Sequence, residues 1–154
     1  MKQYYPCSNS FEKSKAAFNL NAQPDLPYFD AVLTEMNRLA GKYAFVKLSE
    51  FGRSVMGKPL LYICAGSGGR HVFYSASHHA NEWISTLILL KYMNELFEKA
   101  QSGGQIGAYN AKELLSKTRL CFAPLVNPDG VDLVLGKLSS GKYYDSAKKI
   151  AQNY

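Results

Sequence analysis

The sequence predicts an α/β domain built on a mixed sheet with flanking helices. Apolar runs of strand length alternate with longer segments of helical periodicity, which is the pattern of this class. One strand–helix–strand succession implies a right-handed crossover between parallel strands. The composition agrees, because 154 residues with 47% hydrophobic and 19% charged side chains can form one domain with its own core.

The first half of the chain predicts a helix followed by an antiparallel hairpin. Residues 1–25 are polar and mixed, so we assign them to an N-terminal arm and residues 26–154 to the domain. Apolar residues at helical spacing predict a helix over 27–40, with Asp25 as its cap and Gly41 as its end. Strands are predicted over 45–51 and 60–65, on either side of a turn that contains Gly and Pro.

The second half predicts the parallel part of the sheet. A strand over 71–77 shows little alternation, which indicates cover on both faces, and a helix over 82–100 follows it. After a glycine-rich loop, Asn110 and Glu113 resemble a capping box that opens a short helix ending at Lys117. A buried strand over 118–126 then runs into the turn at 127–130, Asn-Pro-Asp-Gly, whose polar residues are expected to shape that turn.

Charge and cysteine content limit the partners and the location of the chain. The net charge of +6 comes from scattered Lys and Arg residues, so no nucleic-acid partner is predicted. No apolar stretch approaches the roughly 20 residues of a membrane span, so no membrane contact is predicted. Three cysteines without CxxC spacing predict neither a disulfide scaffold nor a cysteine zinc site. We therefore expect a cytoplasmic protein, with secretion or cell-wall association as the alternative.

Polar side chains follow both predicted parallel strands. His78, His79, Asn81 and Glu82 come after the third strand, and the turn at 127–130 comes after the fourth, so the two groups are expected to share one rim of the sheet. His79 and Glu82 stand three positions apart, and imidazole nitrogen and carboxylate oxygen bind Zn²⁺ at about 2.0–2.2 Å. The first turn of a helix would bring both to one side. Alternatively, Asn81 caps the helix, the helix dipole favours Glu82, and His79 is a hydrogen-bonded loop residue.

Three segments together carry a family resemblance. A strand runs into the residues His-Ala-Asn-Glu-Trp-Ile at 79–84, a later strand ends in Asn-Pro-Asp-Gly, and the turn at 54–60 reads Ser-x-x-Gly-Lys-Pro-Leu. With these segments the chain resembles the zinc carboxypeptidases of the peptidase M14 family over about residues 27–134. The resemblance implies the N-terminal half of a zinc-carboxypeptidase-like (phosphorylase/hydrolase-like) fold.

The resemblance also implies a metal site and a substrate. His79 and Glu82 would be two of three protein ligands to one catalytic Zn²⁺ ion, the two-His, one-Glu set of carboxypeptidase A. His78 and Asn81 would lie at the substrate rim. Asn81 stands where the digestive members carry Arg, so this segment is similar to the branch of γ-D-glutamyl-L-diamino acid peptidases. Those enzymes cut peptidoglycan stem peptides, so a peptide or peptidoglycan-peptide substrate is expected.

In the family, the third ligand, an arginine and the catalytic glutamate all follow Asn-Pro-Asp-Gly, whereas residues 131–154 contain no His, Arg or Glu. We therefore expect no catalytic residue within this chain, a third ligand outside it, and no activity of the chain alone. The missing C-terminal half, or self-association across the exposed sheet, would complete the domain. The alternative is a non-catalytic sheet module that binds a partner protein or a cell-wall peptide.

Overall fold

The computed structural model describes residues 28–151, which form a four-stranded sheet flanked by helices. The elements in chain order are α1 (Tyr28–Lys42), β1 (Val46–Arg53), β2 (Pro59–Ala65), β3 (Arg70–Ser75), α2 (Trp83–Ser102), β4 (Gln105–Ile106), β5 (Tyr109–Asn110), α3 (Ala111–Lys117), β6 (Thr118–Ala123), α4 (Pro128–Val134) and α5 (Tyr144–Ala151). The predicted arm and the Asp25 cap lie outside the described residues. Within 28–151, no helix combines the length and apolar character needed to cross a bilayer.

The sheet is mixed, as predicted, with the strand order β1-β2-β6-β3. β2 pairs antiparallel with both β1 and β6, whereas β3 pairs parallel with β6. The chain passes from β3 to β6 through α2 and α3, which confirms the predicted connection between parallel strands. β4 and β5 form a separate two-residue hairpin within the segment that joins α2 to α3.

The core lies between α1, α2 and the two central strands. β2 contributes Ile63 and Ala65 and β6 contributes Leu120 and Phe122, every second residue of each strand, as expected for one buried face of a sheet. The helices cover this face with apolar side chains that are almost fully buried: Val32, Met36, Leu39, Leu90, Met93, Leu96 and Phe97.

The predicted ends of the first helix and of the fourth strand were wrong, and so was the assignment of residues 127–130 to a turn. α1 continues through Gly41 to Lys42. β6 ends at Ala123 rather than at 126, because Pro124 has no amide hydrogen to donate to a neighbouring strand. The Asn-Pro-Asp-Gly turn is the start of α4, with Asn127 as its N-cap and Pro128 in the first turn.

The prediction that the third strand is covered on both faces was also wrong. All six residues of β3 are exposed, including Val72 (39%), Phe73 (60%) and Tyr74 (41%). β3 is an edge strand, and among the described residues only β6 pairs with it. In β3, a run of apolar residues without alternation therefore belongs to a strand whose apolar side chains the described part of the chain leaves exposed.

The described residues contain one disulfide that the cysteine spacing did not predict. Cys64 on β2 lies directly opposite Cys121 on β6, and the two form a disulfide. They are separated by 57 positions in the sequence, so their pairing depends on the register of two sheet strands and not on any local spacing. The disulfide joins the two central strands on the face opposite Ile63 and Phe122.

The predicted cap of α3 is confirmed. Asn110 is the N-cap, and its side-chain oxygen accepts a hydrogen bond from the backbone N–H of Glu113 at 3.0 Å. The side-chain nitrogen of Asn110 donates to the carbonyl oxygen of Gly103, also at 3.0 Å. One amide side chain thus caps a helix and fixes a carbonyl on the preceding segment.

Candidate metal centre

The segments after β3 and β6 continue side by side, so the predicted shared rim exists. The N–H of Ala76 donates to the carbonyl of Ala123, and the N–H of Val126 donates back to the carbonyl of Ala76. The N–H of Asn127 then donates to the carbonyl of Ser77 at 3.0 Å. The hydrogen bonding between the two segments therefore reaches the residues that lead into His79.

A tight turn brings His79 and Glu82 together. The N–H of Glu82 donates to the carbonyl of His79 at 3.1 Å, and Nδ1 of His79 lies 2.8 Å from Oε1 of Glu82. We had expected the first turn of a helix to do this, but α2 begins at Trp83 and Glu82 is its N-cap. The three-residue spacing works because the residues close a turn in front of the helix.

The His79–Glu82 pair suits a divalent ion. Both side chains are well exposed, at 76% and 52%, so an ion can reach them. Two donor atoms 2.8 Å apart are close enough to share an ion with bonds of about 2.0–2.2 Å. The hydrogen bond from His79 lowers the pKa of Glu82, and a bound ion would take the place of the proton between the two atoms. Within residues 28–151, no three His, Cys, Asp or Glu side chains are grouped as a metal site.

His78 and Asn81 occupy different places on the rim. Nε2 of His78 makes a hydrogen bond with Oγ of Ser75 at 2.9 Å, at the end of β3. Asn81 is exposed within the turn. Its alternative role as a helix cap was wrong, because Glu82 occupies the N-cap position of α2. The substrate-rim roles of His78 and Asn81 stay predictions.

Three hydroxyl side chains, Ser77, Ser85 and Thr86, make contacts at the start of α2 that the sequence did not predict. Ser77 is 1% exposed and adopts a left-handed backbone conformation, with φ of 50°. Its Oγ donates to the carbonyl of Glu82 at 3.1 Å and lies 2.6 Å from Oγ1 of Thr86. Ser85 Oγ donates to the same Glu82 carbonyl at 2.7 Å and accepts the N–H of Ser77. These bonds fix the backbone of Glu82.

Asn127 connects the segment after β6 to the turn that carries His79 and Glu82. Its Oδ1 accepts the N–H of Gly130 at 3.0 Å and caps α4, while its Nδ2 donates to the carbonyl of His78 at 3.1 Å. A Cβ atom on Gly130 would lie 2.6 Å from that nitrogen, so the amide leaves room only for glycine. The expectation that polar residues of Asn-Pro-Asp-Gly shape the local backbone is confirmed, and Asn127 also contacts the site.

A cluster of charges joins α4 to the turn between β1 and β2. Asp129 accepts hydrogen bonds from Ser54 Oγ at 3.1 Å and from the N–H of Met56 at 3.0 Å. Lys58 Nζ lies 2.6 Å from Oδ2 of Asp132, whose side chain is 1% exposed. Two of the three segments that carry the family resemblance are therefore in direct contact.

The chain belongs to the zinc carboxypeptidase family, peptidase M14, whose sequence model matches residues 32–145. It is 41% identical over 109 residues to the uncharacterized protein YqgT of Bacillus subtilis (strain 168). It is 33% identical over 116 residues to gamma-D-glutamyl-L-diamino acid endopeptidase 1 of Lysinibacillus sphaericus. These alignments cover 68% and 75% of this chain but 28% and 29% of those proteins, so the chain spans less than a third of their length.

The solved structures agree with this fold. The crystal structure of thrombin activatable fibrinolysis inhibitor (TAFI) has a TM-score of 0.63 and 18% sequence identity to this chain. The superposition covers 83% of this chain and 32% of that one. The mixed α/β architecture is therefore that of the M14 carboxypeptidases.

Proposed function

We propose that this chain supplies part of the active site of a zinc-dependent peptidase, with His79 and Glu82 as two of three protein ligands to one Zn²⁺ ion. The carrying observation is the 2.8 Å contact between His79 Nδ1 and Glu82 Oε1, in an exposed turn at the joined ends of two parallel strands. Membership of the zinc carboxypeptidase family supports the identity of the ion.

The role of the described residues is to bind and orient. A bound zinc ion supplies two things in a hydrolase, a water of lowered pKa and a polarised scissile carbonyl. The turn presents one imidazole and one charged carboxylate to the ion, and the hydroxyls of Ser77 and Ser85 fix the backbone that carries the carboxylate. The third ligand, the general base and the oxyanion donor come from outside this chain, so the chain alone is inactive.

For the substrate, we propose peptidoglycan stem peptides cleaved at a γ-D-glutamyl-diamino acid bond. The relative from Lysinibacillus sphaericus, whose printed name describes this activity, supports the assignment. Asn81 supports it too, because a neutral amide beside Glu82 replaces the bidentate, charged guanidinium of the digestive carboxypeptidases. In the complete protein, hydrolysis of a γ-D-glutamyl-diamino acid peptide faster than of a dipeptide with an ordinary C-terminal residue would support this substrate, and the reverse would contradict it.

Zinc titration of the chain tests the metal site. We expect His79→Ala and Glu82→Gln each to weaken zinc binding by about 10-fold or more, since each removes one of only two ligands in the chain. His71→Ala and Glu113→Gln are matched controls, because they remove an exposed imidazole from β3 and an exposed carboxylate from α3. Equal affinity of all four variants and the wild type would contradict the proposed site.

The exposed face of β3 supports the partner part of the proposal. Val72, Phe73 and Tyr74 are exposed apolar residues of an edge strand, with Phe73 on one face and Val72 and Tyr74 on the other, and we propose that the strand is covered by the remainder of the domain or by a second copy of the chain. The same strand favours the second candidate function, a non-catalytic module. Retention of the metal-free chain on peptidoglycan, unchanged by His79→Ala, would favour the module over the peptidase.

The disulfide bears on location. Disulfides persist mainly in oxidising compartments, so the Cys64–Cys121 bond removes one ground for a cytoplasmic location. Of the two locations considered, we therefore propose secretion or cell-wall association. Alkylation of the protein in freshly lysed cells tests this: blocked Cys64 and Cys121 would support it, and reactive thiols at both would favour the cytoplasm.

A further inference from the structure

We infer that Asn127 is a positioning residue for the metal-binding turn, an inference that rests on the proposed function of His79 and Glu82. Asn127 makes two hydrogen bonds to the residues before His79. Its side-chain Nδ2 donates to the carbonyl of His78 at 3.1 Å, and its backbone N–H donates to the carbonyl of Ser77 at 3.0 Å. The carbonyl of His78 belongs to the peptide group that leads into His79, so holding it fixes the orientation from which the imidazole departs.

Asn127 is itself held in place. Its Oδ1 accepts the N–H of Gly130 as the cap of α4, and its amide group occupies the space that a Cβ on residue 130 would fill. The next residues of α4 are fixed by Asp129 and Asp132, which bind the turn before β2. The Asn127 side chain is therefore held by α4, which is itself held in place, and a residue that orients a metal ligand needs such support.

The position requires an amide. Oδ1 must accept a hydrogen bond while Nδ2 donates one, and an ionised carboxylate can only accept. A serine hydroxyl can cap α4, but it is too short to reach the His78 carbonyl at the same time. The contact of His79 with Glu82 lies within the turn, whereas the bond from Asn127 reaches the turn from another segment of the chain. Partners behind metal ligands typically change metal affinity by about 10–100-fold.

The chain contains a matched control for this residue. Asn110 makes the same pair of bonds at the start of α3, where Oδ1 accepts the N–H of Glu113 and Nδ2 donates to the carbonyl of Gly103. Asn127→Ser and Asn110→Ser each keep a hydroxyl cap and remove one amide donor, so both should lower helix stability by similar amounts. Only Asn127→Ser removes a bond to the metal-binding turn.

The experiment is a zinc titration of the chain by competition with a coloured chelator, combined with amide hydrogen exchange of the metal-free protein. We expect Asn127→Ser to weaken zinc binding by about 10-fold and to accelerate exchange at residues 78–82, with both quantities unchanged in Asn110→Ser. Both effects together support the inference. If Asn127→Ser behaves like Asn110→Ser in either quantity, the inference is overturned.

The variant His79→Ala, titrated in parallel, separates the two possible failures. Equal zinc affinity of the wild type and His79→Ala contradicts the proposed function and the inference with it. Weaker binding by His79→Ala, combined with unchanged binding by Asn127→Ser, overturns the inference alone and leaves the proposed function standing.

Discussion

The two sides of β6 are stabilised in different ways. On the side of β2, the antiparallel register allows the Cys64–Cys121 disulfide, and the turn before β2 is joined to α4 by a buried ion pair. On the side of β3, the pairing is parallel, the strand is exposed, and the chain leads directly to the exposed turn that carries His79 and Glu82. The disulfide and the buried ion pair thus lie on the β2 side of β6, and the candidate site lies on the exposed β3 side.

Two carboxylate contacts illustrate the difference between the two sides. Lys58 and Asp132 approach to 2.6 Å and His79 and Glu82 approach to 2.8 Å, so distance does not distinguish them. Burial does, because the side chain of Asp132 is 1% exposed and that of Glu82 is 52% exposed. A buried carboxylate that loses its partner destabilises the fold, whereas an exposed one remains available to bind a ligand.

The largest change in stability is expected when the buried Lys58–Asp132 pair is broken. Asp132→Ala leaves the N–H of Phe29 without its acceptor and the Lys58 ammonium with only Asp129, 3.6 Å away, so we expect a loss of about 3 kcal/mol in the free energy of unfolding, the low end for a broken buried pair. Urea denaturation followed by circular dichroism measures it. Asp145→Ala, in the exposed helix α5, is the control and should change stability by less than about 0.5 kcal/mol. Similar losses in both variants would contradict the contrast between the two sides.

Removing the disulfide should have the next largest effect. The bond closes a loop of 57 positions, so its reduction should lower the free energy of unfolding by about 2–4 kcal/mol. Urea denaturation with and without a reductant measures the change. The double variant Cys64→Ala/Cys121→Ala should respond equally in both buffers. A wild type that is insensitive to reductant would show that the β2 side does not depend on this bond.

Ser77 allows a test on the side of β3. Ser77→Ala removes a buried hydroxyl at a cost of about 1–3 kcal/mol. Ser77→Gly removes the same hydroxyl but relieves the left-handed backbone, so it should be about 1 kcal/mol more stable than the alanine variant. At the helical, exposed Ser116 the order should be reversed, since glycine is the poorer helix former. The same order at both positions would mean that Ser77 carries no backbone strain.

The sequence predicted the sheet class, the parallel crossover and the His79–Glu82 contact, because each depends on local periodicity or short spacing. The Cys64–Cys121 bond and the bond from Asn127 to His78 depend on how distant segments align, which local spacing does not predict. The Ser77 hydroxyl contacts are local, but they depend on a left-handed backbone at a residue other than glycine, which the residue type does not indicate. The start of α4 did carry a local signal. Asn followed by Pro is a typical helix start, which we had interpreted as a turn.

The smallest effect on stability is expected for the exposed face of β3. Phe73→Lys should change the free energy of unfolding by less than about 0.5 kcal/mol, because the side chain is 60% exposed, yet it should reduce concentration-dependent self-association. Sedimentation velocity over a concentration series measures this. Val55→Lys is the control, because Val55 is 76% exposed in the turn that leads to β2. If both variants associate to the same extent as the wild type, β3 does not join copies of the chain, and the remainder of the domain becomes its proposed cover.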